Sequence, residues 1–143
     1  MKFAATLAVA TLIALPSAPA RADSPAAGTW RMTDGKVTVR ISECGAGLCG
    51  TIVGLKKPND SHGRPKRDKE NPNPALRNRQ VIGLTILSNM KPNGSNSWKG
   101  TIYNPDDGRT YSSRMKLQGD STMKVEGCVA SVLCKSMKFT RIR

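Results

Sequence analysis

An all-β domain is what this sequence predicts, either an antiparallel sandwich or a closed up-and-down barrel of roughly seven or eight short strands. Three observations carry that expectation. Residues 36–42 alternate polar and apolar side chains without a fault, the period-two signature of a half-buried strand. Tight-turn sequences recur between such stretches, Asp34-Gly35 and Asn104-Pro105-Asp106-Asp107-Gly108 among them. No amphipathic helix pattern separates one strand from the next.

The elements follow in order. Residues 28–32 place Trp30 and Met32 on one face of a first strand. Asp34-Gly35 turns the chain, with glycine supplying a positive φ, into the strand at 36–42, where Val37, Val39 and Ile41 share a face. A third strand, 51–55, follows the loop between Cys44 and Cys49. Residues 80–90 carry Val81, Ile82, Leu84, Ile86 and Leu87. So dense an apolar run reads as a strand or a short buried helix, and periodicity does not separate the two. Strands at 98–103 and 109–117 flank a turn in which Pro105 presets φ and Gly108 takes the left-handed position. Gly119-Asp120 opens a turn into an alternating strand at 122–126, and 133–142 is the last strand. No internal repeat or linker interrupts the pattern, so 23–143 is expected to be one domain.

Residues 1–22 read as a signal peptide. Lys2 precedes an apolar run at 4–15, and Ala20 and Ala22 are small residues at cleavage positions. That run falls short of the ~20 residues a spanning helix needs, so no transmembrane segment is expected in the mature protein. Cleavage near Ala22, or after Ala20, predicts a periplasmic or secreted domain. The 143-residue chain carries 23 Lys and Arg against 10 Asp and Glu, a charge of +13, and loss of Lys2 and Arg21 with the first 22 residues leaves 121 residues at +11. Only 17% of those 121 are Leu, Ile, Val or Phe, which by composition alone suggests disorder. The strict alternation argues otherwise. The length excludes a TIM barrel, which takes about 250 residues. The single histidine, His62, excludes a multi-histidine metal site, and no glycine-rich phosphate loop is present.

Residues 56–78 break the pattern with Pro58, Pro65, Pro72 and Pro74 and almost no apolar side chain, which excludes a central strand. A structureless loop this long is uncommon in a compact domain and is expected to be functional or mobile. Lys56, Lys57, Arg64, Lys66, Arg67, Lys69, Arg77 and Arg79 face only Asp60, Asp68 and Glu70. Such a run attracts anions, an anionic envelope surface included, or it is simply a solvated charged stretch. With aromatics limited to Trp30, Trp98, Tyr103, Tyr111 and Phe139 after the signal, stacking platforms are scarce and no specific nucleic-acid partner is expected.

Four cysteines in an exported domain allow three disulfide connectivities. Cys44 and Cys49 bracket four residues and Cys128 and Cys134 bracket five, so the local pairing Cys44–Cys49 and Cys128–Cys134 is favoured. Each bond would contribute about 2 kcal/mol by chain entropy. A four-thiolate zinc site would want tighter spacing, and no metal is expected.

Gly28-x-Trp30, Val39-Arg40-Ile41-x-x-Cys44, Leu48-Cys49-Gly50, Asn71-Pro72-x-Pro74-Ala75-Leu76-Arg77-Asn78-Arg79, Gly83-Leu84 and Trp98-x-Gly100-x-Ile102-Tyr103-Asn104-Pro105-x-x-Gly108-x-x-Tyr111 together resemble the DUF2147 family of exported bacterial proteins. The resemblance spans nearly the whole mature chain. It implies an up-and-down barrel of about eight strands like that of lipocalins, in which Arg141 or Arg143 covers Trp30 in a cation–π contact of about 0.5–2 kcal/mol. Cys128, Cys134 and the strongly basic loop depart from the family pattern. The resemblance carries no catalytic residue.

Two readings of function follow. In the first, the domain is a non-enzymatic binding protein, taking a small apolar or amphipathic ligand in or at the mouth of the barrel. Arg77 and Arg79, two guanidiniums after rigid prolines, can grip a carboxylate or phosphate, unless one of them pairs with Asp106 or Asp107 to pin the loop. Tyr103 and Tyr111 flank the 104–108 turn and can place hydroxyls at that mouth, unless both are half-buried core residues. In the second reading the cationic loop docks on an anionic envelope surface or a partner protein. Asp106 and Asp107 read as turn formers, His62 lacks a nucleophile elbow, and neither a cofactor nor an enzymatic activity is expected.

Overall fold

The computed structural model of the protein describes residues 12–18, 23–130 and 132–143. Most of the expected signal peptide lies outside the described residues; the stretch 12–18 is exposed and without regular structure. Eight strands form a closed antiparallel barrel in sequential order: β1 (Gly28–Met32), β2 (Val37–Cys44), β3 (Gly47–Leu55), β4 (Thr85–Pro92), β5 (Ser97–Asn104), β6 (Arg109–Leu117), β7 (Thr122–Val129) and β8 (Leu133–Arg141). β8 closes on β1 through Trp30 opposite Arg141 and Met32 opposite Phe139. The barrel, rather than the sandwich, is therefore the form the alternation takes. Closure removes the sheet edges that an open meander would expose.

The strand expected within 80–90 is β4, and it starts only at Thr85. Residues 81–84 belong to the preceding loop, yet Val81 and Leu84 are buried with Ile86 and Leu87 in the core cluster. Leu87 pairs with Ile102 on the inner face, and Ile86 beside it is buried in the same core cluster. The pairing of β3 with β4 shifts register between Gly50, opposite Leu87, and Thr51, opposite Thr85, and this irregularity is why the segment showed no alternation.

The inner face is filled with side chains. Trp30, Val39, Ile41, Leu87, Met90, Met115, Met123 and Val125 are all essentially inaccessible to solvent. Burying a side chain of this kind contributes about 1.5–3 kcal/mol, which is how a chain with little apolar content sustains a core. Flexible methionines fill spaces that rigid branched residues would leave.

One end of the barrel is sealed. There the Trp30 indole N–H donates to the Ala26 carbonyl at 2.9 Å, tying down the segment before β1. The Arg141 guanidinium lies 4.2 Å from the Trp30 ring centroid, so Arg141 rather than Arg143 makes the expected cap. Its Nη1 donates to the Ala27 carbonyl at 2.7 Å and its Nε to the Asp120 carbonyl at 2.9 Å. A single side chain thus holds the leading segment, the β6–β7 turn and the Trp30 ring together.

Candidate functional site

The opposite end carries the β1–β2, β5–β6 and β7–β8 turns and the long loop from β3 to β4. Alternation and register place Met32, Val37, Leu55, Ile102 and Met137 on the inner face, where each is only half-buried against the core. Tyr111, opposite Ile102, continues this apolar collar. Deeper in the wall, the Ser113 hydroxyl is buried with no hydrogen-bond partner. It sits between two glycines, Gly100 on β5 and Gly127 on β7. An orphaned buried hydroxyl costs free energy, so its place beneath an open mouth is notable.

β6 and β7 part company at this end. Their pairing stops at Ser112 opposite Cys128, and an open concavity of about 490 Å³ lies beyond it, lined by Arg109, Tyr111, Val129 and their neighbours. The Tyr111 hydroxyl donates to Asp107, whose other carboxylate oxygen accepts the Arg109 backbone N–H. Burial pushes the Asp107 carboxyl up, but these donors prevail and hold it below the ordinary value.

The long loop is not structureless: it carries hydrogen bonds of its own and to the barrel wall. Asp60 accepts the backbone N–H groups of His62 and Arg64 at 2.8 and 3.1 Å, forming a local turn. Residues 66–68 and 79–81 run antiparallel, with Arg67 bridging Gln80. Asp68 is 0% exposed and holds the loop to the barrel wall. Its carboxylate accepts the Tyr103 hydroxyl at 2.5 Å, the Asn71 amide at 2.8 Å and the Arg79 guanidinium at 2.9 Å. Burial raises the Asp68 pKa, yet the three hydrogen bonds and the Arg79 charge outweigh it and leave the carboxyl below its ordinary value. Tyr103 responds in kind: burial and the Asp68 carboxylate push its phenol up to about 12. Gly108 lies against the Glu70 carbonyl so closely that any Cβ would overlap it. The 104–108 turn therefore serves as the seat on which the loop rests.

Comparison with known proteins bears on this architecture at two levels. The family described as an uncharacterized protein conserved in bacteria (DUF2147) matches residues 28–141. The chain belongs to the DUF2147 family. A solved structure, described as "Protein HP1028 from the human pathogen Helicobacter pylori belongs to the lipocalin family", is similar, with a TM-score of 0.70 and 25% identity over 82% of each chain. No curated protein matches.

Within this DUF2147 barrel the expected site residues divide between two places. Arg77, Arg79 and Tyr103 gather around Asp68 and Asn71. Arg77 Nε donates to the Asn71 carbonyl at 2.8 Å, and Arg79 pairs with Asp68. Neither hydrogen-bonds to Asp106 or Asp107, the partners expected for a pinned loop; a carboxylate within the loop itself takes that role. Tyr111 stands apart. It pairs with Ile102 while Tyr103 pairs with Thr110, so the two phenols project from opposite faces of the sheet. Sequence reasoning missed Asp68, whose partner Tyr103 is 35 residues away, and it missed Ser113, one serine in a polar strand. The cysteines form the two local disulfides, Cys44–Cys49 and Cys128–Cys134.

Proposed function

We propose that the protein is an exported, non-enzymatic binding protein that takes a small apolar or amphipathic molecule at the loop-bearing mouth of its barrel. The observation that carries this reading is the half-buried collar of Met32, Val37, Leu55, Ile102, Met137 and Tyr111 above a filled floor. Apolar surface left open at the mouth of a barrel is a binding surface in waiting. An acidic group on the ligand suits the rim, where Arg109 borders the concavity; Arg77 and Arg79 are engaged in the loop beside Tyr103, on the other face of the wall. The orphaned Ser113 hydroxyl gives a polar group a reason to reach inward. The lipocalin-like architecture supports small-ligand binding in the same sense.

Native mass spectrometry of protein recovered from its own periplasm tests the reading by seeking an adduct that is lost on unfolding. Anilinonaphthalene sulfonate, an apolar anion, serves as probe in parallel. Leu55→Glu is expected to weaken the probe by about tenfold, from lost apolar burial and added repulsion. No adduct, together with probe binding indifferent to Leu55→Glu, would overturn the proposal.

A further inference from the structure

The β7–β8 hairpin overhangs the barrel. Its pairing with β6 ends at Cys128, and its pairing with β1 ends at Phe139, while its own two strands stay paired out to Val129 opposite Leu133. The Thr33 backbone N–H still donates to the Lys138 carbonyl at 3.0 Å, and residues 133–137 of β8 stand beyond that last contact with the β1 side. At the end of this spur Val129, Val132 and Leu133 are 53%, 79% and 73% exposed, the highest values among the large apolar residues described in 23–143. The Cys128–Cys134 bond crosses the hairpin just beneath them, so the tip is held in its projecting shape at little cost in ordering.

We propose that this tip docks the protein on an anionic lipid bilayer, with Val132 and Leu133 entering the interface. Three side chains are far too few for a stable protein interface, which takes about 800 Å² from each partner. They suit shallow insertion among headgroups. The charges around them suit an anionic surface. Arg109 borders the same concavity as Val129 and Ala130; Lys135 is exposed on the free edge of β8, and Lys138 is exposed where that edge begins. The one acid in the β7–β8 hairpin, Glu126, is already paired with Arg114 at 3.2 Å and Lys124 at 2.6 Å, and Asp107, at the same end of the barrel, is engaged by the Tyr111 hydroxyl and the Arg109 backbone N–H. Lysines on an unpaired edge also discourage a foreign strand from adding there. This docking is independent of whether the mouth binds a ligand.

Sedimentation with phosphatidylglycerol–phosphatidylcholine vesicles, against phosphatidylcholine alone, tests it. Wild type is expected to pellet with the anionic vesicles, and Val132→Ser/Leu133→Ser to lose about tenfold or more in affinity. Both sites are exposed, so the double variant retains the fold. Leu133→Trp adds a reporter to a protein whose own Trp30 and Trp98 are buried; it is expected to shift to the blue and be quenched by brominated lipid. Equal pelleting of the serine variant, or an unquenched reporter, overturns the proposal in favour of plain cationic adhesion. A concentration-dependent dimer abolished by the same variant overturns it in favour of self-association.

Discussion

The two ends of the barrel are closed by different physics. At the sealed end a fully buried indole is held by one guanidinium and the carbonyls around it, and the contacts join segments at opposite termini of the domain. At the other end a carboxylate holds a long loop against the outer wall, while the inner apolar collar is left half open. The first arrangement seals its end, and the second leaves the apolar collar above a filled interior partly exposed. Binding capacity in such a barrel depends on which end is left without a cap.

The contrast can be broken most severely at the sealed end. Trp30→Ala removes the largest side chain of the core and should cost about 3–5 kcal/mol, read as a lowered urea midpoint with an unchanged slope. Asp68→Ala acts at the other end and strands the Tyr103 hydroxyl, the Asn71 amide and a half-exposed Arg79. It should cost about 1–3 kcal/mol and make the 56–84 loop markedly easier to cleave by trypsin, with the barrel intact. A protease-resistant loop in this variant would show that Asp68 is dispensable as a latch.

The latch also has a pH signature. The Asp68 carboxyl sits below its ordinary 3.8 in the folded state. Its contribution is therefore fully present above about that value and lost as pH falls through the depressed folded one. Tyr103 is shifted the other way, from 10.0 to about 12, so its contribution is intact below pH 10 and lost as pH rises through 12. Loop protection should hold between these limits, and Asp68→Asn should flatten the acid side. The smallest effect is expected from Arg141→Lys, which keeps the charge over Trp30 but loses the fork between the Ala27 and Asp120 carbonyls. A loss of about 1 kcal/mol in the urea midpoint would separate hydrogen bonding from the cation–π contact.

The two ends were not equally legible. The sealed end could be read from Gly28-x-Trp30 and the arginines of the last strand, through the resemblance those residues carry. Most strands were legible because one face of each meets the core and the other meets water. β4 was not, because a register shift beside Ile86 interrupts its alternation. The loop itself was read as structureless, since nothing in a run of prolines and cations marks one aspartate as buried. Tyr103 and Tyr111 were read either as a pair at the mouth or as half-buried residues; both are half-buried, and the register separates them to opposite faces.

Alternation, turn chemistry and cysteine spacing by themselves determined an all-β meander with two local disulfides. These are short-range properties, written in neighbouring residues. Only the tertiary structure decided that the sheet closes, that Asp68 anchors the loop to Tyr103, and that the β7–β8 tip stands clear of its neighbours. Each of those depends on where distant segments meet, and the register that brings them together is set by the closed sheet as a whole.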